Sequence, residues 1–207
     1  MERKNYFNKM AETWDELFNN KELSHFLVGF VPKFGLKQGQ KILDAGTGTG
    51  ILIPFLLKAV GPTGHVTAVD YAEKMIEVCK SKFSLNQNIT FKTVDIGKLS
   101  LPPESFDAAI CFGLFPHLDH KGQALNQLNR VLKVQGKLII AHALSSVEIK
   151  SHHANLSPVV ALDVMPTEQK MKQMLNKTGF GRIHVTDKHR LYLCVSTKSK
   201  SATIKDN

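Results

Sequence analysis

The stretch from Lys41 to Asp70, KILDAGTGTGILIPFLLKAVGPTGHVTAVD, leaves a chain few folds to choose from. KILDAG is a short apolar run broken by glycine, ILIPFLLKAV is an apolar run of helical length, and HVTAVD is a second strand-like run. Strand, tight turn, helix and strand in so short a space form a crossover unit, which lays its two strands parallel. Gly46, Gly48 and Gly50 fall in the turn, two residues apart. Lacking a Cβ, the backbone there can take positive φ and approach a ligand, while the following helix offers unpaired N–H groups to polar or anionic atoms. Asp70 closes the second strand, where its carboxylate is placed to accept both hydroxyls of a ribose. A glycine-rich turn alone is only a turn. With Asp70 and the crossover around it, the unit reads as a nucleoside site.

The glycine spacing narrows the nucleoside. A dinucleotide fingerprint runs G-x-G-x-x-G, whereas Gly46 opens a G-x-G-x-G run with Ile51 where the third glycine should fall. A pyrophosphate-binding turn is disfavoured. A phosphate-cradling loop of the Walker type needs Lys and Ser or Thr after its last glycine, and Gly50 is followed by Ile51 and Leu52.

The alternation continues with YAEKMIEVCKSKF as helix, NITFKTVD and SFDAAICF as strands, GQALNQLNRVLK as helix and GKLIIAHAL as strand. Short apolar strands alternating with helices imply a parallel sheet covered on both faces, an α/β doubly wound fold. Before it, Phe7, Met10, Trp14, Leu17 and Phe18, then Leu23, Phe26, Leu27 and Phe30, recur at helical spacing and predict two helices ending at Pro32. After it, Ser145 to Met165 breaks the rhythm with a polar stretch, Thr167 to Gly179 reads as a capped helix, and GRIHVTD and RLYLCVST form a closing antiparallel hairpin joined at Lys188 and His189. A single domain is expected over residues 1–197, with the helices of 1–34 over the site, an insertion at 145–165 over the sheet, and a flexible tail at 198–207.

Composition excludes several classes. No stretch approaches the roughly 18 apolar residues of a membrane span, and MERKNYFNKMAETWDELFNN lacks a secretory leader's apolar region, so a cytoplasmic location is expected. Cys79, Cys111 and Cys194 are few, odd in number and set in apolar surroundings, which argues for reduced, packed thiols. The formal charge of +9 is spread along the chain without a basic run interleaved with aromatics, so a solvated basic surface is expected over a nucleic-acid partner.

LDAGTGTG, VTAVDYAEKMIEVCKSK, VDIGKLSLPPESFDAAICFGLFPHL and LNQLNRVLKVQGKLII, four motifs in order between about Tyr6 and Leu144, resemble the class I S-adenosylmethionine-dependent methyltransferases. The likeness is to the small-molecule branch that includes quinone-biosynthesis C-methyltransferases. It implies a Rossmann-like sheet of seven strands in the order 3-2-1-4-5-7-6, with strand seven antiparallel. It implies S-adenosylmethionine as cofactor, leaving as S-adenosylhomocysteine. Asp44 and the turn of Gly46, Thr47, Gly48 and Gly50 would hold the methionine part, Asp70 the ribose, Tyr71 and Met75 the adenine face, and Asp95 with Ile96 the adenine edge. Phe112 and Gly113 would line the sulfonium side. Asp95 has a second reading, as the N-cap of a turn beginning at Gly97. One departure stands out: Val134-Gln135 occupies the place where the family usually has Pro-Gly.

Methyl transfer from a sulfonium is an in-line displacement in which alignment supplies much of the acceleration, so a base is needed only for some acceptors. His117 stands after the fourth strand and is either catalytic or bonded to a neighbouring loop. Asp119 and His120 read as caps of the next helix. The segment from Ala141 to Asp163, with the N-terminal helices, is expected to build the acceptor pocket, its wall drawn from Leu156, Pro158, Val159, Val160, Leu162, Val164 and Met165. In it His152 or His153 is expected to contact the acceptor, with solvated histidines the alternative; with His142 their spacing is not that of a metal site, and none is assigned. The helical spacing of Phe7 and Trp14 favours a core stripe over a lid. A small-molecule methyltransferase is the leading expectation. An RNA or protein methyltransferase and a non-catalytic cofactor-binding protein are the alternatives; Cys111-Phe112-Gly113-Leu114, where base- and amine-directed enzymes resemble one another in Asn/Asp-Pro-Pro-Tyr/Phe, disfavours the former.

Overall fold

The computed structural model describes residues 2–17 and 20–200. Seven strands form one sheet: β1 (Lys41–Ala45), β2 (His65–Asp70), β3 (Ile89–Thr93), β4 (Phe106–Phe112), β5 (Leu132–His142), β6 (Phe180–Lys188) and β7 (Leu191–Lys198). Their order is 3-2-1-4-5-7-6, with β7 antiparallel to both β5 and β6, as the motifs imply. The helices are α1 (Glu2–Met10), α2 (Trp14–Leu17), α3 (Asn20–Phe30), α4 (Ile53–Val60), α5 (Glu73–Phe83), α6 (Lys121–Val131), α7 (Ser146–Leu156) and α8 (Glu168–Lys177).

Successive side chains of a strand point to opposite faces, and here both faces are apolar. Leu43, Ala109, Cys111, Leu138 and Ile140 pack with Leu125 and Leu128 of α6 and Met171 and Leu175 of α8. Ile42, Val66, Ala108, Ile110 and Ile139 pack on the other side with Leu27 and Phe30 of α3 and Ile53, Leu56 and Val60 of α4. Each fully buried aliphatic side chain contributes about 1.5–3 kcal/mol. The two half-cores therefore clamp the sheet from both sides and hold its strand ends rigid. β1 pairs with β2 on one side and β4 on the other, which is where the winding reverses and a crevice opens beyond the strands' carboxyl ends.

The ends of the elements have local causes. Pro54 sits in the first turn of α4, where its missing N–H costs nothing, and Gly61 closes that helix at φ 66°. The Thr167 hydroxyl caps α8 by accepting from Lys170 N at 3.3 Å.

Four expectations are corrected. The described residues of the N-terminal segment break at 11–13, inside the first expected stripe, so that Trp14 starts a new helix; Phe18, part of that stripe, and the tail from 201 lie outside the described residues. The polar interruption at 145–165 contains helix α7, started by a capping box in which the Ser145 hydroxyl accepts from Glu148 N at 3.2 Å while the Glu148 carboxylate accepts from Ser145 N at 2.8 Å. β5 leaves α6 directly at Leu132, with an irregularity between the Phe106 and Ala108 pairings that puts Gln135 at φ 63°. The hairpin turns at His189 and Arg190, because Lys188 pairs with Leu191.

Candidate active site

A cavity of about 710 Å³ lies at the carboxyl ends of β1, β2, β4 and β5, faced from the N-terminal helices by Tyr6, Phe7, Trp14, Leu23 and Phe26. Phe7 and Trp14 are thus cavity wall as well as packing, their rings 5.5 Å apart and edge to face. Two sets of polar groups meet in this space.

The first set comes from the glycine turn and the strands beside it. Gly46, Thr47, Asp70, Tyr71, Met75, Asp95, Ile96, Phe112 and Gly113 line the cavity, whereas Asp44, Gly48 and Gly50 do not line it directly. Asp70 is held by two backbone donors: Gly48 N reaches Oδ2 at 3.0 Å and Ala72 N reaches Oδ1 at 2.9 Å. Each oxygen keeps further acceptor capacity for a hydroxyl. Burial pushes the Asp70 carboxyl up, and these backbone bonds oppose the rise. Asp44 is buried under the turn and accepts from the Thr47 hydroxyl at 2.6 Å. Burial drives its carboxyl up to about 7. Asp95 accepts from Gly97 N at 2.7 Å and also lines the cavity, so both of its sequence readings hold together.

Two glycines have different reasons to be glycine. A Cβ on Gly50 would sit 2.6 Å from the Phe83 ring and 2.7 Å from Cys79 Sγ, so this residue lets α5 pack against the turn. At Gly48, φ 56°, a Cβ would meet nothing nearer than Trp14 Nε1 at 3.9 Å, so the space in front of it is open. The turn is also tied to the N-terminal segment, since Thr49 Oγ1 donates to Asp15 Oδ1 at 2.5 Å and Lys82 pairs with the same carboxylate.

The second set converges from distant parts of the chain. His117 Nδ1 lies 2.7 Å from Asp163 Oδ2, and Arg3 of α1 grips the same carboxylate with Nε at 3.1 Å and Nη2 at 2.8 Å. Arg3 also donates to Asp119 at 2.5 Å, and α6 has no side-chain cap from Asp119 or His120, which corrects their expected role. His153 Nδ1 donates to the Asp163 carbonyl oxygen at 2.6 Å, and its ring lies 4.7 Å from that of His117. His152 is exposed at the rim, while His117, His142, His152 and His153 all line the cavity. Burial pushes His117 below the usual imidazole range and the bond to Asp163 opposes this, which leaves a neutral ring near pH 7. Burial alone would raise Asp163, yet His117 and Arg3 together hold it below its ordinary value. Of the expected wall residues, Leu156 and Val160 line the cavity, whereas Leu162 and Val164 are exposed and Met165 packs in the main core. Arg3 and Asp163 were not singled out from the sequence as site groups, and no local pattern marks them, because they stand 160 residues apart. Among the described residues no group of three or more His, Cys, Asp or Glu is arranged to hold a metal ion.

Comparison with known proteins places this geometry. A family model described as a methyltransferase domain matches residues 42–136. A structure of an S-adenosylmethionine-dependent methyltransferase from Aquifex aeolicus superposes with a TM-score of 0.68 at 25% identity, covering 94% of this chain and 97% of that one. Residues 42–136 thus match a methyltransferase domain, and the chain as a whole has the fold of an S-adenosylmethionine-dependent methyltransferase.

A demethylmenaquinone methyltransferase of Staphylococcus aureus is 42% identical over 137 residues, which are 64% of this chain and 56% of that protein. The chain thus spans about half the length of the curated relatives it matches. A phosphoethanolamine N-methyltransferase of Haemonchus contortus, solved with S-adenosyl-L-methionine, shares the fold at a TM-score of 0.70 and 18% identity, over 85% of this chain and 53% of that one. The methyltransferase cofactor is S-adenosylmethionine, and the residues present fit it. The open space before Gly48, the unused acceptor capacity of Asp70, and a buried Tyr71 hydroxyl at the cavity wall with no partner among the described residues are what a nucleoside with a polar tail requires. Among the described residues no helix is long and apolar enough to cross a membrane.

Proposed function

We propose that this chain methylates a small, apolar ring acceptor whose hydroxyl gives up its proton to His117. The observation that carries the reading is the buried His117–Asp163 pair, 2.7 Å apart, opening on the same cavity as Asp70 and the glycine turn. Bound S-adenosylmethionine supplies an electrophilic methyl carbon, the sulfur keeping the bonding pair as it leaves. Asp70 would take the ribose hydroxyls, Tyr71 and Met75 the adenine face, Asp95 and Ile96 its edge, and Asp44 with the turn of Gly46, Thr47, Gly48 and Gly50 the methionine part. Phe112 and Gly113 would line the sulfonium side.

At the other end Asp163 accepts from the His117 Nδ1–H and fixes the tautomer, so that the Nε2 lone pair faces the acceptor. Arg3 keeps Asp163 ionised, and the carboxylate stabilises the imidazolium once the proton has moved. Phe7, Phe26, Phe112, Leu144 and Leu156 supply apolar wall suited to a flat ring, and His152 and His153 add polar contacts. The S. aureus relative acts, by its name, on demethylmenaquinone, which supports an acceptor of quinol type. Three unpaired, buried cysteines suit a reducing, cytoplasmic setting.

The test is transfer of labelled methyl to a panel of hydroxylated aromatic rings, thiols and amines. Label in a hydroxylated ring, with kcat falling as pH drops through the depressed His117 titration, is expected. Label confined to thiols or amines overturns the reading.

A further inference from the structure

His142 ends β5 and lines the cavity beside Phe112, whose ring centroid is 6.3 Å away. Its Nδ1 is sealed from solvent and has no hydrogen-bond partner among the described residues. The residue as a whole is only partly buried, so the accessible edge of the ring, with Nε2, opens to the cavity. A neutral imidazole carries one N–H and one lone pair, and nothing in the protein dictates which nitrogen of His142 holds the proton. Buried N–H groups without an acceptor are the rarer kind of orphan. Sealing the lone pair at Nδ1 and presenting the N–H at Nε2 is therefore the favoured tautomer. Burial, with the neighbouring His117, His153 and His152, pushes this imidazole down to about 3, so it stays neutral across the physiological range. The cavity thus carries a lone pair on His117, backed by Asp163, and an N–H on His142, backed by nothing but the apolar sheet end.

We infer that His142 Nε2–H donates a hydrogen bond to a ring oxygen of the methyl acceptor, and so selects rings bearing a carbonyl or oxyanion besides the hydroxyl that His117 deprotonates. This rests on the ring-acceptor reading and adds a specificity residue to it. The two histidines divide the work: His117 moves a proton, and His142 holds one still. An orphaned nitrogen at the end of a central strand is otherwise a standing penalty, because phenylalanine would fill the place without one.

The experiment measures binding of two ring probes to the full chain saturated with S-adenosylhomocysteine, by calorimetry. One probe is 2,3-dimethyl-1,4-naphthoquinone, which has ring carbonyls and no free ring position for thiol addition; the other is 2,3-dimethylnaphthalene, the same ring without oxygen. The wild-type chain is expected to prefer the quinone, and His142→Phe to lessen that preference about five- to tenfold, the worth of one hydrogen bond. His142→Gln, which offers an N–H, is expected to keep part of it. Affinity for S-adenosylhomocysteine stays within twofold in all three. An equal preference in the wild type and His142→Phe overturns the inference and leaves the ring-acceptor reading standing. Failure of both probes to bind the wild type overturns that reading and the inference with it. A second measurement needs no variant: the infrared carbonyl stretch of the ¹³C-labelled quinone is expected to fall on binding to the wild type, and a stretch unchanged from that in apolar solvent overturns the inference.

Discussion

At the end of the cavity proposed for the cofactor, Asp44, Thr47, Asp70 and Met75 come from one unbroken run of chain, whereas at the end proposed for the acceptor Arg3, His117 and Asp163 meet across separations of 46 to 160 residues. The first arrangement is fixed by the geometry of strand, turn and helix: the Gly48 and Ala72 backbone amides hold Asp70 with no help from distant parts of the chain. The second exists only while α1 lies over the sheet, held by Arg3 to Asp163 and Asp119 and by Lys4 to Glu73. A local device tolerates change elsewhere. A convergent one is sensitive to any movement of the elements that meet in it, and the acceptor side is accordingly the place where this fold can be re-specified without disturbing the cofactor.

The comparison is sharpest if each end can be broken alone. His117→Ala, the largest expected effect, removes a positioned base and should lower kcat on a hydroxylated ring by about 10²–10⁴-fold, with the Kd for S-adenosylmethionine within twofold. A parallel loss of cofactor affinity, read by calorimetry, would show the ends to be coupled. Asp70→Ala is the reciprocal case: cofactor binding should weaken by about 2–3 kcal/mol, on the order of 30- to 150-fold, through loss of charged hydrogen bonds. Binding at wild-type strength would remove Asp70 from the ribose.

Asp44 tests the cofactor end through stability. Its carboxyl titrates near 7 when folded, because it is buried, and near 3.8 when unfolded. Between those values the folded chain holds a proton that the unfolded chain has lost, so stability falls as pH rises through this window and the full penalty is present above pH 7. Asp44→Asn should raise stability at pH 8 by about 1–2 kcal/mol, inside a ceiling of roughly 4 kcal/mol set by that rise, and the gain should vanish near pH 4. Urea midpoints at the two pH values decide it, and a lower midpoint at pH 8 would mean that the charge is stabilised where it sits. The smallest effect is expected away from both ends, at exposed Gln135, whose φ of 63° is a conformation that glycine adopts freely. Gln135→Gly should raise stability by about 0.5–1 kcal/mol and leave kcat and cofactor affinity unchanged; a fall in the urea midpoint would assign the residue's worth to its bond with the Lys198 carbonyl.

The sheet, its strand order and the nucleoside turn were legible because their signals are short-range: apolar periodicity, glycine spacing, and an acid at a strand end all act within one crossover unit. The missed helix α7 was legible too, since Ser145 and Glu148 spell a capping box, but its polar surface conceals the apolar periodicity by which helices are found. By itself the sequence determined which residues could bind a nucleoside, since Asp70 and its two backbone donors fall within a few residues of fixed secondary structure. Only the tertiary structure decided which histidines line the cavity, how deeply each is buried and with what partners. His117 and His153 differ from His152 by burial against Asp163 and Arg3, and His142 by an orphaned nitrogen. Burial and partnership between segments so far apart are set by the closing of α1 and α7 over the sheet, and no spacing along the chain encodes them.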